Sequence, residues 1–453
     1  MPSSDSGGSA VATPTPREMR KVLAGAASGT SLEWFDFALY GTVSAIVFPK
    51  LFFPALDPTT GVLAAFAAFG VGLGARPLGA AFFANLGDRI GRQRTMLTAI
   101  IAMGFSSLGI GLLPGYGSWG IWAPVLLVLL RIVQGFSLGG ESSAAQIMAM
   151  EYAPAGRRAF YGSIVNMGSP LGQVFVALVL VLVRGAAGEE AFLAWAWRIP
   201  FILGFAMAIL GFLMRRTLGE TPAFERSRKQ NMLVKRPLLT VLRTYPRDIL
   251  RLTFLWAANV ACSYMVTTYS VDYIQHTLGM SSQTSFTLIL ATNLLGVAAV
   301  PLGGRLADRY GRKPVLYTFA TISLVGALAY FPLLDTEVWP LMLAANVLTL
   351  VSQYIEFGAL AAIFAEPFPT PVRYSGHASA YTLTNLIGGA PTPFVAALLL
   401  QVTGTPWSIS LLLAAAYILS LIMIRLTPET RNVDFHAAGN EVASPARGRA
   451  ATA

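Results

Sequence analysis

Glu33, Asp36 and Tyr40 stand three and four residues apart in a stretch that is otherwise apolar. At helical periodicity these spacings put the three side chains on one face. A second set, Arg131, Gln134, Leu138 and Glu141, repeats the spacing later in the chain. An ionisable side chain in a bilayer core costs several kcal/mol unless it is paired or faces water, so each one is a functional candidate. Two faces of opposite charge suit one chemistry in particular. A carboxylate can take up and release a proton while an arginine holds its ionised form. Asp36 and Arg131 are the expected pair. Asp36 is the first candidate for the proton carrier and Glu33, one turn away, the second. A static buried ion pair that fixes helix packing is the competing reading.

Such residues need a membrane around them, and the composition indicates one. Hydrophobic residues make up 55% of the 453 and charged residues 12%, about half the usual share of roughly 25%. The mean hydropathy is +0.60. A soluble chain of this size would need a charged surface that is missing here. Crossing roughly 30 Å of hydrocarbon takes about 20 apolar residues. Twelve runs qualify: 22–49, 61–86, 95–113, 119–150, 159–183, 193–214, 249–275, 284–307, 314–334, 338–365, 375–402 and 406–426. Pro54 to Pro58, the Pro114-Gly115-Tyr116-Gly117 turn and the Gly185 to Glu190 stretch separate runs by fixed proline φ or glycine freedom. No alternation of barrel length occurs, so the expected fold is an all-α membrane protein of twelve transmembrane helices. The single cysteine, Cys262, gives neither a disulfide framework nor a metal-ligand set, and no metal or cofactor is expected.

The net charge of +10 could suggest nucleic acid, but the basic residues fall in short gaps between apolar runs and not on one solvated face. With the N-terminus inside, the inner segments hold Arg17, Arg20, Lys21, Arg89, Arg92, Arg157, Arg158, Arg309, Arg312 and others, whereas the outer connections hold only Lys50, Arg184 and Arg198. Basic residues stay cytoplasmic on insertion, so both termini are expected inside. The domains read as a disordered tail 1–20, a six-helix bundle 21–214, a basic cytoplasmic linker 215–248, a second bundle 249–426 and a short cytoplasmic tail 427–453. Counting 1.5 Å per residue, Asp36 lies roughly 20 Å from the inner end of the first run and Arg131 roughly 18 Å from the outer end of the fourth.

Gly87-Asp88-Arg89-Ile90-Gly91-Arg92-Gln93-Arg94 recurs near half a chain length further on as Ala307-Asp308-Arg309-Tyr310-Gly311-Arg312-Lys313-Pro314. Each copy joins the second and third runs of a six-run half, which implies two similar bundles about a midplane site. Retention of positive charge requires neither the Asp nor the Gly. An Asp at such a junction can accept backbone N–H groups, and the Gly permits a tight turn. Asp88, Arg89, Arg92 and Glu141, with Asp308, Arg309 and Arg312, are therefore expected to form gates at the inner ends.

The doubled Asp-Arg-x-Gly-Arg loop resembles the signature of the major facilitator superfamily. Ser31 to Gly41, Ala75-Arg76-Pro77-Leu78-Gly79-Ala80, Arg131 to Glu141, Trp197-Arg198-Ile199-Pro200-Phe201 and Gly219-Glu220-Thr221-Pro222-Ala223-Phe224 resemble its metabolite:proton symporter branch. The resemblance covers about residues 20–430. It implies alternating access, proton-coupled uptake, and coupling roles for the acid of the first span and the arginine of the fourth. The substrates it implies are organic acids, such as di- and tricarboxylates and shikimate-like compounds, or zwitterions of the proline and betaine type. Ala84 departs from the glycine that usually opens the loop. Ser142-Ser143 follow Glu141 where this branch often has an aromatic residue and glycine.

Other polar residues inside runs are candidates for the cavity: Tyr40, Arg76, Gln134, Asn166, Gln173, Asn259, Tyr264, Asn293, Tyr381 and Asn385. Helix–helix hydrogen bonding is the alternative for each of the uncharged ones. Arg76 would attract a carboxylate or pair with Glu141. Glu141, Glu151 and Glu356 are expected near inner helix ends, Asp272 near an outer end, and His377 near a helix end with no partner pattern. A proton-coupled importer of a small polar metabolite, foremost an organic acid, is the leading reading, in a monomer surrounded by lipid in a bacterial inner membrane. A zwitterion symporter and an uncoupled facilitator or exporter are the alternatives. A membrane-embedded enzyme is disfavoured by the lack of His/Glu metal spacing, nucleophile elbow or phosphate-binding glycine loop.

Overall fold

The computed structural model describes residues 16–431, apart from 91, 140, 141, 152, 155, 216–236, 370 and 371. The described residues contain no strand. Twelve helical spans run in order: α1 Pro16–Ile46, α2 Pro58–Ile90, α3 Arg92–Leu112, α4 Trp122–Leu138 with Ser142–Glu151, α5 Arg158–Ala187, α6 Arg198–Arg215, α7 Pro246–Thr277, α8 Ser282–Tyr310, α9 Arg312–Leu334, α10 from Trp339–Asn346 to Leu360–Ala365, α11 Arg373–Thr403 and α12 Trp407–Leu426. Seven are long and apolar enough to cross a membrane alone, and α6 qualifies together with Glu189–Ala196, from which it bends by 53°. The other four are α1, which carries Glu33 and Asp36, α3 and α4, whose apolar stretches are short, and α10, which is broken.

The spans form two six-helix bundles. Within each, the second and fourth spans cross so closely that only glycine fits. A Cβ on Gly135 of α4 would lie 1.8 Å from the Gly72 carbonyl oxygen of α2, and one on Gly303 of α8 would lie 1.9 Å from the Ile355 carbonyl oxygen of α10. Small residues at a crossing let backbones approach, which is how helices associate where lipid removes the hydrophobic drive. The doubled sequence pattern thus has a doubled packing behind it.

π-helical turns are more numerous in the second bundle than in the first, where one, Phe192–Ala196, precedes the bend into α6. Single π-helical turns interrupt α7 at Met265–Tyr269 and Tyr273–Thr277, α10 at Val347–Val351 and α11 at Asn385–Gly389, whereas α1 and α2 show none. Within the stretch read from sequence as a plain linker, Pro237–Thr244 forms a short helix, its Val241 buried and the helix packed on α11.

The bundles meet at both ends. At the end that carries the two loop signatures, here called the basic end, a Cβ on Gly162 of α5 would come 2.6 Å from the Ala361 Cβ of α10. At the other end Gly41 of α1 faces Thr268 of α7 and Gly70 of α2 faces the Ala390 carbonyl of α11, each with a Cβ clearance of 2.7 Å. The arrangement is occluded, with the polar residues enclosed between the two contacts.

Candidate functional site

The face expected on α1 is formed, and Glu33, Asp36 and Tyr40 are all buried. Arg131 is 0% exposed. Its guanidinium lies 4.1 Å from the Tyr40 ring centroid, 4.3 Å from that of Phe37 and 4.9 Å from that of Phe69. These faces stabilise a desolvated cation. Gly72 of α2 makes room, since a Cβ there would come 2.6 Å from Arg131 Nε.

The direct Asp36–Arg131 ion pair expected from sequence is replaced by a bridge. Arg131 Nη1 donates to Gln134 Oε1 at 2.5 Å, and Gln134 Nε2 donates to Asp36 Oδ2. Gln134 is one turn along α4 on the same face, so it fills the gap that the depth count assigned to the length of the arginine. Asp36 Oδ1, Arg131 Nη2 and the Tyr40 hydroxyl are buried without a hydrogen-bond partner. A carboxylate half satisfied by a neutral amide is poised differently from one locked by a cation: a proton added at the unpartnered Oδ1 breaks no ion pair and leaves Oδ2 accepting a weaker, neutral hydrogen bond from Gln134.

Arg76 pairs with Glu33, and its guanidinium stands 5.0 Å from the Phe37 ring centroid. Glu141, the partner considered from sequence, lies outside the described residues. Arg76 and Ser143 face Tyr381 and Asn385 across the interface between the bundles. A neighbouring cavity is lined by Trp34, Trp256, Asn259, Tyr264, Tyr381 and Asn385, among others. Asn259 accepts a hydrogen bond from Gln353 Nε2, and the Tyr264 hydroxyl is buried without a partner.

Of the substrate contacts expected from sequence, Arg76, Asn259, Tyr264, Tyr381 and Asn385 line cavities. Tyr40 and Gln134 instead surround the Arg131 guanidinium. Asn166 and Gln173 bridge the bundles: Asn166 Nδ2 donates to the Phe357 carbonyl at 2.9 Å, and Gln173 Nε2 to the Tyr354 hydroxyl at 3.0 Å. Tyr354 in turn donates to Asn293 Oδ1.

At the basic end, Asp308 accepts from the backbone N–H groups of Ala159 at 3.1 Å and Phe160 at 2.8 Å. A carboxylate of the second half thus caps the N-terminus of α5 in the first, where the helix dipole favours it. Arg312 Nη1 reaches Asp308 at 3.1 Å and its Nη2 reaches Glu366 at 2.9 Å, while Arg158 Nη1 stands 4.0 Å from Glu366. Gly311 adopts φ 104°, a left-handed turn that glycine tolerates. Glu429, beyond α12, accepts from the backbone N–H groups of Arg312 at 3.0 Å and Lys313 at 2.9 Å, and the Thr430 hydroxyl donates to Glu366.

Arg309, expected in this gate, is exposed and stacks on Tyr310 with 5.2 Å to the ring centroid. The side chains of Asp88, Arg89, Arg92 and Glu151 lie outside the described residues. Glu366, Arg158, Glu429 and Thr430 are not singled out by the sequence reading. A signal was present, because Glu220-Thr221 follows the sixth span as Glu429-Thr430 follows the twelfth.

Glu356 is not part of the gate either. It is 3% exposed inside the second bundle and accepts from Ser323 Oγ at 3.1 Å. His377, expected to lack a partner, is fully buried, with Nδ1 at 3.0 Å from Ser143 Oγ of the other bundle. Asp272 meets His276 Nδ1 at 2.7 Å.

Twelve spans in two bundles, packed about buried charges and a shared cavity, have the architecture of a membrane transporter. The sequence pattern of the Major Facilitator Superfamily matches residues 26–382 and 260–449, and the chain belongs to that family. It is a multi-pass membrane transporter and not an enzyme. It is 39% identical over 418 residues to the inner membrane metabolite transport protein YhjE of Escherichia coli, covering 91% of this chain and 94% of that one. It is 36% identical to a proline/betaine transporter of Salmonella typhimurium, covering 90% and 82%, and 32% identical to a shikimate transporter of Escherichia coli, covering 91% and 95%. The xylose transporter XylE from E. coli in a partially occluded inward open conformation shares the fold, with a TM-score of 0.73 at 17% identity over 92% of this chain and 99% of that one.

Proposed function

We propose that the protein is a proton-coupled symporter that imports a small polar metabolite across a bacterial inner membrane by alternating access. The observation that carries the coupling is the Asp36–Gln134–Arg131 bridge. With Asp36 ionised, Gln134 ties it to Arg131 and so joins α1 to α4. With Asp36 protonated at its unpartnered Oδ1, the charge that orients the amide is gone, the hydrogen bond to Oδ2 weakens to a neutral one, and the tie between the two helices loosens. Proton occupancy and bundle arrangement are thereby linked. Glu33 is occupied by Arg76, which supports Asp36 over Glu33 as the carrier. Names among the relatives support transport of metabolites, proline/betaine or shikimate.

Charge balance in the cavity bears on the substrate. Arg76 is matched by Glu33, and Arg131 is enclosed by aromatic rings and Gln134. A di- or tricarboxylate would bring two or three negative charges against no unmatched cation among the described lining residues. A zwitterion can exchange partners with the Glu33–Arg76 pair, its carboxylate to Arg76 and its ammonium to Glu33 and the aromatic walls at Trp34, Trp256 and Tyr264. The geometry favours the zwitterion over the organic acid that sequence alone put first. A shikimate-like monocarboxylate is the second reading, because its hydroxyls match Asn259, Tyr381 and Asn385.

The inner gate is read as Asp308 and Arg312 with Glu366 in the second half, with Asp88, Arg89, Arg92 and Glu141 as their counterparts in the first. Both termini are placed in the cytoplasm, with domain boundaries at 21–214 and 249–426 and a monomer as the working unit. Purified protein in proteoliposomes tests the reading. Glycine betaine, proline and shikimate should be compared as radiolabelled probes with an acidic exterior, with and without a protonophore. Accumulation that a protonophore abolishes is expected for one of them. Equal uptake with and without the pH gradient would leave only a facilitator.

A further inference from the structure

Coupling through Asp36 uses the buried charges of the first bundle and leaves Glu356 of the second without a role. Glu356 of α10 is 3% exposed at the meeting of α7, α9, α10 and α12. The groups that face it are Ser323 Oγ from α9, Asn259 and Cys262 from α7, and Tyr417 from α12. All are neutral. No arginine, lysine or histidine on α7, α8, α9 or α12 pairs with it among the described residues. The Tyr417 hydroxyl is buried with no hydrogen-bond partner.

Burying a carboxylate as an anion with hydroxyl and amide donors alone costs several kcal/mol, whereas the neutral acid can be accommodated by the same groups. Two features connect the site to the transport cycle. Asn259 faces Glu356 on one side and lines the cavity on the other, where it is held by Gln353. Glu366 of the basic-end latch stands on the same helix, about 15 Å further along at helical rise.

We propose that Glu356 is a second proton-binding site of the transporter, contributed by the second bundle and filled and emptied through the cavity past Asn259. In the occluded form the carboxyl is held as the neutral acid. Release of the Arg312–Glu366 latch lets α10 move, water reaches the carboxyl, and its proton leaves on the side that has opened. The site extends the proton-coupled reading but is detectable without it, because proton occupancy can be read whether or not uptake is coupled.

Infrared difference spectroscopy of the full-length protein in lipid nanodiscs tests this at neutral to alkaline pH, where exposed carboxylates are ionised. The wild type should show a protonated-carboxyl band that shifts on transfer to deuterium oxide. Asp36→Asn should retain the band, and Glu356→Gln, which keeps the shape and removes the acid, should lose it. Glu356→Asp should retain a displaced band, which supplies a readout even if the glutamine variant inserts poorly. A spectrum with no such band, a band unchanged by Glu356→Gln, or a band that resists deuterium exchange would overturn the proposal. Failure of coupled uptake with the band intact would instead fault the symport reading alone.

Discussion

The two bundles share a packing scheme but place different chemistry at its centre. Among the described residues, the middle of the first holds four buried charges, Glu33, Asp36, Arg76 and Arg131, on α1, α2 and α4. The middle of the second holds amides, Asn259, Asn293, Asn346, Gln353 and Asn385, with Glu356 the one carboxylate among them. The backbone differs in the same sense, since α7, α10 and α11 are broken by π-turns where α1 and α2 are regular. Charged groups in a low dielectric need fixed partners, which regular helices provide. Neutral amides lose less when a helix bends. Most of the fixed charge thus lies in the first half and most of the π-turns in the second.

The largest expected effect is in the first half. Arg131→Ala removes the cation that Gln134 and three rings surround, leaving Asp36 buried without its anchor. A loss of about 3–5 kcal/mol is the usual cost of breaking a buried charge arrangement. Thermal unfolding in detergent should show a much lower transition or no folded protein. A near-normal melting temperature would mean that the charges of the first half are not structural.

Asp36→Asn comes next. It should bring gradient-driven accumulation down to the equilibrium level while counterflow exchange continues, because the amide keeps the shape and cannot carry the proton. Wild-type accumulation by this variant would move the carrier out of the first half and erase the contrast.

Asp308→Asn tests a contact made between the halves. The carboxylate caps α5 through two N–H groups and pairs with Arg312, so its loss should cost about 1–2 kcal/mol. The population should move toward molecules open at the basic end, seen as increased labelling of a single cysteine placed there in a Cys262→Ser background. Unchanged labelling and turnover would reduce the loop to an insertion signal.

The smallest effect is expected at the cavity wall. The Tyr264 hydroxyl is buried without a hydrogen-bond partner in the occluded form, so Tyr264→Phe should leave stability unchanged or slightly raised. A change in apparent substrate affinity without a change in stability would mark the hydroxyl as a ligand contact of the second half.

Much of this architecture is legible in the sequence. Apolar runs and their basic gaps locate the spans, the recurring Asp-Arg-x-Gly-Arg loop exposes the duplication, and helical spacing puts Glu33, Asp36 and Tyr40 on one face. Distance along a helix gives depth but says little about which neighbour a side chain meets. That is why spacing does not reveal Gln134 between Asp36 and Arg131, and why it offers Glu141 to Arg76 when Glu33 holds it. Glu356 stands nine residues before the end of its run, about 14 Å at helical rise, and depth alone does not say that the faces of α7, α9 and α12 turned toward it carry no arginine. Glu366 stands at the end of its run, where a lone acid looks solvated until Arg312 and Thr430 are brought against it.

The strand of chain just past α12 has a practical consequence. Glu429 and Thr430 complete the Arg312–Glu366 cluster although they lie outside the last membrane span. A truncation or fusion joint placed at Leu426, where the hydrophobic run stops, would remove two ligands of that cluster. Such a protein would insert and fold its twelve helices yet misreport the balance between its open states. Reporter fusions and purification tags for this transporter should therefore begin after Arg431.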